Sequence, residues 1–351
     1  MRAIALSAIG ALACAAALSF ALPPSVYGQT KPIDLSYSSF FPATYGLGQA
    51  ATAWAKEIEK RTDGRVKITM YHSGTLTDAN SCYEGVVNGI SDIGQSCLAY
   101  TRGRFPLSEI LDLPGYPLNA MVTTRVVDEF YRKFKPKELA DTHVLYLHAH
   151  IPGTITTVKK PIRTLEDVKG LKIRCTGLAT KIVEALGATP VAMPKGDQYD
   201  AMNKGVVDGT VSTPNELLGW KVAEVSKYST LLLDVGYVTT MFIVMNNEKW
   251  KSLPPDIQKI FTDVSSEWVE YTGKAWNTIE IEGFRYGKKV GHTFIYLTSQ
   301  EQERWRNAVK PLEANYIKAM QAKGLPGKEA ADYRRQLIEK YSKMYPQLKY
   351  E

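Results

Sequence analysis

Apolar and polar positions along the 351-residue chain switch repeatedly between two periods. Alternation over Ile33 to Ser38 predicts a strand, and Ala51, Trp54, Ala55 and Ile58 recur at helical spacing across Gly48 to Lys60. A strand over Arg65 to Tyr71 follows the Asp63-Gly64 turn. A helix over Ser81 to Asn88 is closed by Gly89 and followed by a strand over Ile90 to Gln95. A helix from about Met121 to Phe134 leads to an apolar strand over His143 to His150. The scheme then begins again. Thr164 and Asp167 form a capping-box pattern, and a strand over Leu171 to Cys175 follows. A helix to Leu186 is capped by Gly187. A short strand over Pro190 to Met193, a helix over Asp197 to Lys204 and a strand over Val206 to Val211 come next. Beyond Pro255 the pattern becomes a long helix to about Tyr286, a strand over His292 to Leu297, and two amphipathic helices.

Strands alternating with helices predict an α/β fold. An ungapped internal match, Tyr83-Glu-Gly-Val-Val-Asn-Gly-Ile-Ser-Asp-Ile-Gly-Gln-Ser96 on Tyr199-Asp-Ala-Met-Asn-Lys-Gly-Val-Val-Asp-Gly-Thr-Val-Ser212, predicts two lobes of like topology. Ser96 and Ser212 then stand at equivalent strand ends, and the cleft between facing strand ends is the natural place for a small ligand. No low-complexity linker divides the halves, so the lobes are expected to exchange segments.

Composition sets the compartment. Arg2, the apolar run Ala3 to Leu22 and the small residues ending at Gly28 read as a secretory signal peptide over residues 1–28, with Cys14 a weak lipidation candidate. Export into an oxidising compartment makes Cys82 and Cys97 a candidate disulfide, leaving Cys175 a buried thiol. The net charge of +7 is not gathered into a Lys/Arg cluster, which speaks against a nucleic-acid surface and leaves a modest field for anionic solutes.

Enzyme chemistry finds little support. Gly46-Leu-Gly48-Gln-Ala-Ala51 lies several residues past its strand, and the next strand ends in Tyr71-His72 rather than an acid, so no nucleotide cofactor is expected. His148 and His150 lack a third metal ligand at a recognisable spacing and read as a structural pair. Glu280 and Glu282 read as solvated helix positions. Arg174 is the exception. It ends a strand ahead of Thr176-Gly177 and a helix N-terminus, where a guanidinium and free N–H groups together suit a carboxylate. Phe41, Tyr45, Asp78, Ser96, Cys97 and Tyr100 are the cleft candidates in the first lobe. Ser212, Asn215, Trp220 and Tyr237 join Arg174 in the second. The aromatic members, Phe41, Tyr45, Tyr100 and Trp220, point to an aromatic or branched apolar tail on the acid.

Three ordered segments, Thr164-Leu-Glu-Asp-Val-Lys-Gly-Leu-Lys-Ile-Arg174, Leu186-Gly-Ala-Thr-Pro-Val-Ala-Met193 and Gly205-Val-Val-Asp-Gly209, resemble the solute-binding proteins of tripartite ATP-independent periplasmic (TRAP) transporters. Trp54 to Val66, Ile68 to Leu76 and Asn247 to Pro254 extend the resemblance over nearly the whole mature chain. It implies a two-lobed periplasmic binding-protein fold, with lobe I over 29–150 plus about 240–285 and lobe II over 151–239 plus about 286–351. A helix of about 255–286 spans both. It also implies hinge closure on an organic acid, delivery to a permease of small and large membrane subunits, and Arg174 as the carboxylate-pairing arginine. Two departures matter. Val211-Ser-Thr-Pro-Asn215 replaces the Glu-Asn-Pro of many members, and Ile155 falls near a second arginine of sialic-acid-type members, which argues against such a ligand. A periplasmic sensor coupled to a kinase or chemoreceptor, and a periplasmic enzyme, are the rival readings of the same cleft.

Overall fold

The computed structural model describes residues 31–233 and 235–350. The expected signal peptide and Cys14 lie outside the described residues. Pro32–Glu351 forms one compact unit, built on two sheets. Its first part runs β1 (Ile33–Ser39), α1 (Gly46–Arg61), β2 (Val66–Tyr71), α2 (Cys82–Val87), β3 (Ile93–Cys97), α3 (Ala120–Phe134) and β4 (Thr142–Ala149). The second holds β5 (Thr154–Thr157), α4 (Leu165–Val168), β6 (Lys172–Cys175), α5 (Ala179–Ala185), β7 (Thr189–Ala192), α6 (Gln198–Asn203), β8 (Gly209–Ser212), α7 (Glu216–Gly219) and β9 (Tyr228–Leu231). The remainder is β10 (Thr240–Asn246), α8 (Asn247–Ser252), α9 (Pro255–Lys289), β11 (Thr293–Tyr296), α10 (Ser299–Val309), α11 (Pro311–Ala322) and α12 (Gly327–Met344).

Strand order gives the internal match its meaning. One sheet is β2-β1-β3-β10-β4 and the other β11-β9-β5-β8-β6-β7. In each, three parallel strands from a β-α-β-α-β run end on a strand, β3 or β8, that pairs antiparallel with a strand beside a crossing between the lobes. That strand is β10 in lobe I and β5 in lobe II; β10 returns to the lobe I sheet after β9, and β11 returns to the lobe II sheet after α9, so the lobes do exchange segments. β5, β9 and β10 were not anticipated as elements. Thr154-Ile-Thr-Thr is polar because Thr154 and Thr156 satisfy one another and Ser212 and Ser229 inside the sheet. The body of β10, Met241 to Met245, is apolar because it lies between β3 and β4 with core on both faces.

At 35 residues, α9 extends about 52 Å at the usual helical rise. It packs on α1, α3 and β4 of lobe I and reaches α7 and β11 of lobe II, so it joins both as the resemblance implied. Its side toward lobe I carries Ile257, Phe261, Val264 and Trp268, which close a core against Trp54 and Ile58 of α1. The C-terminal region holds three helices rather than two, and they divide. α10 packs on α4 and α5, but α12 lies against α3. Assigning 286–351 wholly to lobe II is therefore corrected: Leu337 and Tyr341 of α12 share a core with Val126 and Phe130.

Candidate functional site

The ends of β1, β3, β6, β7 and β8 converge, with the two crossing segments and α9, around a small cavity between the sheets. Phe40, Phe41 and Tyr45 come from the loop after β1, and Cys97 and Tyr100 from the end of β3. Arg174 and Thr176 end β6, and Lys195 follows β7. Ser212, Thr213 and Asn215 follow β8. His150, Tyr237, Thr239 and Met241 lie on the crossings, and Trp276 on α9. The geometry thus brings together nine of the eleven expected residues.

The other two fail for local reasons. Side chains alternate along β3, so Cys97 faces the cavity and Ser96 points away, its hydroxyl donating to the carbonyl of Ala79 at 2.7 Å. Asp78 lies on an exposed turn, where its carboxylate accepts from the backbone N–H of Asn80 and Ser81 at 2.8 and 2.9 Å. The expected Cys82–Cys97 bridge is absent: both are free, buried thiols. Cys82 packs with Tyr83 and Val86, whereas Cys97 packs with Phe41 and Met241 in a separate cluster. Cys175 is also a thiol and, beside Ile173, fills the core under Ile182 and Val183.

Alternation along β6 sends Ile173 and Cys175 into that core and Arg174 the opposite way. Arg174 is 3% exposed, and among the described residues no carboxylate lies within ion-pair distance of it. Its Nε and Nη2 donate to the carbonyl of Met193 at 3.1 and 2.8 Å, which fixes the plane of the guanidinium at the cavity wall. The helix N-terminus contributes less than expected. The N–H groups of Ala179, Thr180 and Lys181 are taken by the carbonyls of Thr176, Gly177 and Leu178. Gly177 has a different reason to be glycine: its φ is +49°, and a Cβ there would stand 2.6 Å from the Cβ of Ala99 in lobe I.

Lys195 is a second cation at the wall, but its charge is met. Its ammonium donates to Glu216 at 2.7 Å and to the Ser212 hydroxyl at 2.6 Å, and Gln198 holds the same Glu216 oxygen at 2.6 Å. Burial pushes the Lys195 pKa down, against the pull of Glu216. Arg174 is left as the unneutralised charge. Around the cavity Phe40 and Trp220 lie nearly parallel at 6.5 Å and Phe41 and Tyr45 at 5.2 Å, Trp276 meets Phe41 edge-on, and the Lys195 ammonium stands 5.9 Å from the Trp220 ring. The four aromatic candidates pack in one cluster with Phe40 and Trp276 and line the cavity.

One expectation about a charged group is overturned. Glu280 is fully buried rather than solvated: it accepts from the backbone and side-chain N–H groups of Asn215 at 3.0 and 2.7 Å. Burial pushes its pKa up to about 7. Glu282, two positions on, is exposed as expected. His148 and His150 part company. His148 accepts from the Trp276 indole at 3.0 Å inside lobe I, but His150 lines the cavity. Lys195 and His150 were missed as site residues because loop and strand patterns carry no sign of what they face. The lobes touch directly through the Tyr45 hydroxyl, which donates to Asn215 at 2.5 Å, and the Lys195 N–H, which donates to the Tyr100 oxygen at 3.2 Å.

Comparison with known proteins agrees with this architecture. The profile of the family "Bacterial extracellular solute-binding protein, family 7" (DctP) matches residues 37–319, and the chain belongs to that family. It is the TRAP solute-binding family the sequence resembled, made up of binding proteins rather than enzymes. The chain is 27% identical over 334 residues to the C4-dicarboxylate-binding periplasmic protein DctP of Rhodobacter capsulatus, covering 92% of this chain and 97% of that one. Two solved structures superpose closely. A TRAP solute-binding protein of Rhodoferax ferrireducens, in complex with copurified benzoate, has a TM-score of 0.84 at 27% identity, covering 89% of this chain and 99% of the other. One of Bordetella bronchiseptica, with bound (R)- and (S)-mandelate, has a TM-score of 0.83 at 27% identity, covering 88% and 100%.

Proposed function

We propose that this protein is the receptor of a TRAP transporter for an aromatic monocarboxylate, captured between the lobes and passed to a membrane permease. In that role residues 1–28 are the leader removed on export. One observation carries the reading: Arg174, buried and without an acid partner, faces a cavity that is also lined by aromatic rings. A buried guanidinium is costly unless something anionic meets it, and a carboxylate offers it two parallel acceptors. Because Glu216 answers Lys195, the site has charge for one carboxylate and not for two. The rings supply stacking and edge contacts to an aromatic tail. Benzoate and mandelate in the two structural relatives support the same class, whereas the dicarboxylate of the Rhodobacter relative would lack a second cation here.

Thermal shift tests this directly, since a ligand bound only by the native state raises the melting temperature. Benzoate, mandelate and phenylacetate are expected to raise it, and succinate and malate to leave it unchanged. Stabilisation by the dicarboxylates alone would overturn the assignment.

A further inference from the structure

His150 opens the crossing segment between β4 and β5 and is 5% exposed. Its Nδ1 sits 2.5 Å from the carbonyl oxygen of Ile151. A carbonyl can only accept, so Nδ1 carries the proton. Burial holds the ring neutral, its pKa lowered to about 4, with Lys195 adding to the effect. In a neutral imidazole protonated at Nδ1, Nε2 is a bare acceptor. The ring cannot readily turn away, because Tyr237 and Trp276 pack against it edge-on at 5.3 and 5.8 Å. Among the described residues no side chain or backbone group bonds Nε2, on a residue that lines the cavity. Two of the cavity tyrosines have their protons committed: Tyr237 donates to the Val211 carbonyl at 3.0 Å and Tyr45 to Asn215.

We infer that His150 is a specificity residue, its Nε2 accepting a hydrogen bond from a hydroxyl on the ligand, so that the preferred acid is a hydroxylated aromatic monocarboxylate. The inference rests on the function proposed above and refines its ligand. Arg174 takes the carboxylate, the rings take the aromatic body, and the imidazole rewards a donor on that body. A substituent that can only accept, such as a methoxy group, would set two lone pairs against each other. Reaching a neutral buried acceptor with a donor is worth about tenfold in affinity over a ligand that leaves it unpaired.

The test is calorimetry on the mature protein with benzoate, its three hydroxy isomers, phenylacetate, mandelate, and the methyl ether of whichever hydroxy acid binds most tightly. The best hydroxy acid is expected to bind about tenfold more tightly than its parent and its methyl ether. His150→Phe should remove that gap while still binding the parent, and His150→Gln, whose amide oxygen also accepts, should restore part of it. Equal binding of hydroxy acid and parent by the wild-type protein overturns the inference whether or not the variants fold. So does a gap that survives in His150→Phe. In either case binding of benzoate or phenylacetate leaves the aromatic-acid receptor standing, whereas failure of every aromatic acid to bind overturns both.

Discussion

Glu280 of α9 holds Asn215 of lobe II at two points, backbone and side chain, and the Tyr45 hydroxyl of lobe I donates to the same asparagine. A carboxylate on the spanning helix therefore positions the loop that bridges the lobes. The same carboxyl is buried, and burial raises its pKa from about 4.5 to about 7. Between those values the folded state binds the proton more tightly than the unfolded state does, so this group's contribution to stability falls as pH rises through the window. The full cost, on the order of 3 kcal/mol by the size of the shift, is present above about pH 7. Glu280→Gln removes the ionisation. Its melting temperature relative to wild type should therefore be higher at pH 8 than at pH 5, read by calorimetry. A difference that is flat in pH, or of opposite sign, would show that Glu280 does not titrate as its burial dictates.

Arg174 separates function from stability. Arg174→Ala should weaken binding of benzoate or mandelate by about 2–5 kcal/mol, as expected when one partner of a buried charge pair is removed. Arg174→Lys keeps the charge but loses the planar fork that Met193 orients, and should still lose about tenfold or more. Without ligand the guanidinium is a buried cation with no acid beside it, so Arg174→Met should melt no lower than wild type. Near-normal affinity in Arg174→Ala by calorimetry would remove the carboxylate from this position.

Gly283 tests how closely α9 must approach the Asn215 loop. A Cβ there would stand 2.3 Å from the Pro214 carbonyl oxygen and 2.4 Å from the Asn215 Cα, so backbone rather than a flexible side chain would have to move. Gly283→Ala should cost about 1–3 kcal/mol of stability, as overpacking does, and weaken ligand binding by displacing Asn215. Glu282→Ala, on the exposed neighbour, should do neither. Normal melting and binding in Gly283→Ala would show that the helix can move off the loop at little cost.

That glycine also marks where the chain was legible and where it was not. The repeat of Tyr83–Ser96 on Tyr199–Ser212 was readable because β3 and β8 occupy the same sheet position, each fed by a helix closed on glycine. Arg174 was readable because a charged residue between Ile173 and Cys175 breaks a buried strand in one direction only. Glu280 was not: it stands four residues from both Trp276 and Phe284 on the buried face of α9, but a carboxylate reads as solvated whatever its spacing. What buries it is a loop some 65 positions earlier, seated where Gly283 leaves room. Ser96 failed the other way. Equivalence of strand ends holds for the backbone, but a period of two lets one neighbour of each pair face the cleft, and in β3 that neighbour is Cys97.

The cysteines give the last test, since the periplasmic setting of the family and a buried thiol set pull in opposite directions. An oxidising compartment favours pairing wherever two sulfurs can meet. Here Cys82 points toward the Ser38 carbonyl under α2 and Cys97 toward the cavity, and each belongs to a different packed cluster. Joining them would pull one out of its core, and a disulfide forced from such positions stores strain instead of relieving it. Burial also suppresses the thiolate that oxidation requires, raising Cys82 to about 12 and Cys175 to about 11, with Cys97 raised as well. Protein purified from the periplasm should accordingly show Cys82, Cys97 and Cys175 unreactive to a thiol reagent when folded. All three should be fully reactive once unfolded without reductant, and reductant should leave the melting temperature unchanged. A peptide pair linked through Cys82 and Cys97 in mass spectrometry, or a melting temperature that drops with reductant, would mean that α2 and the end of β3 pack differently from the arrangement described.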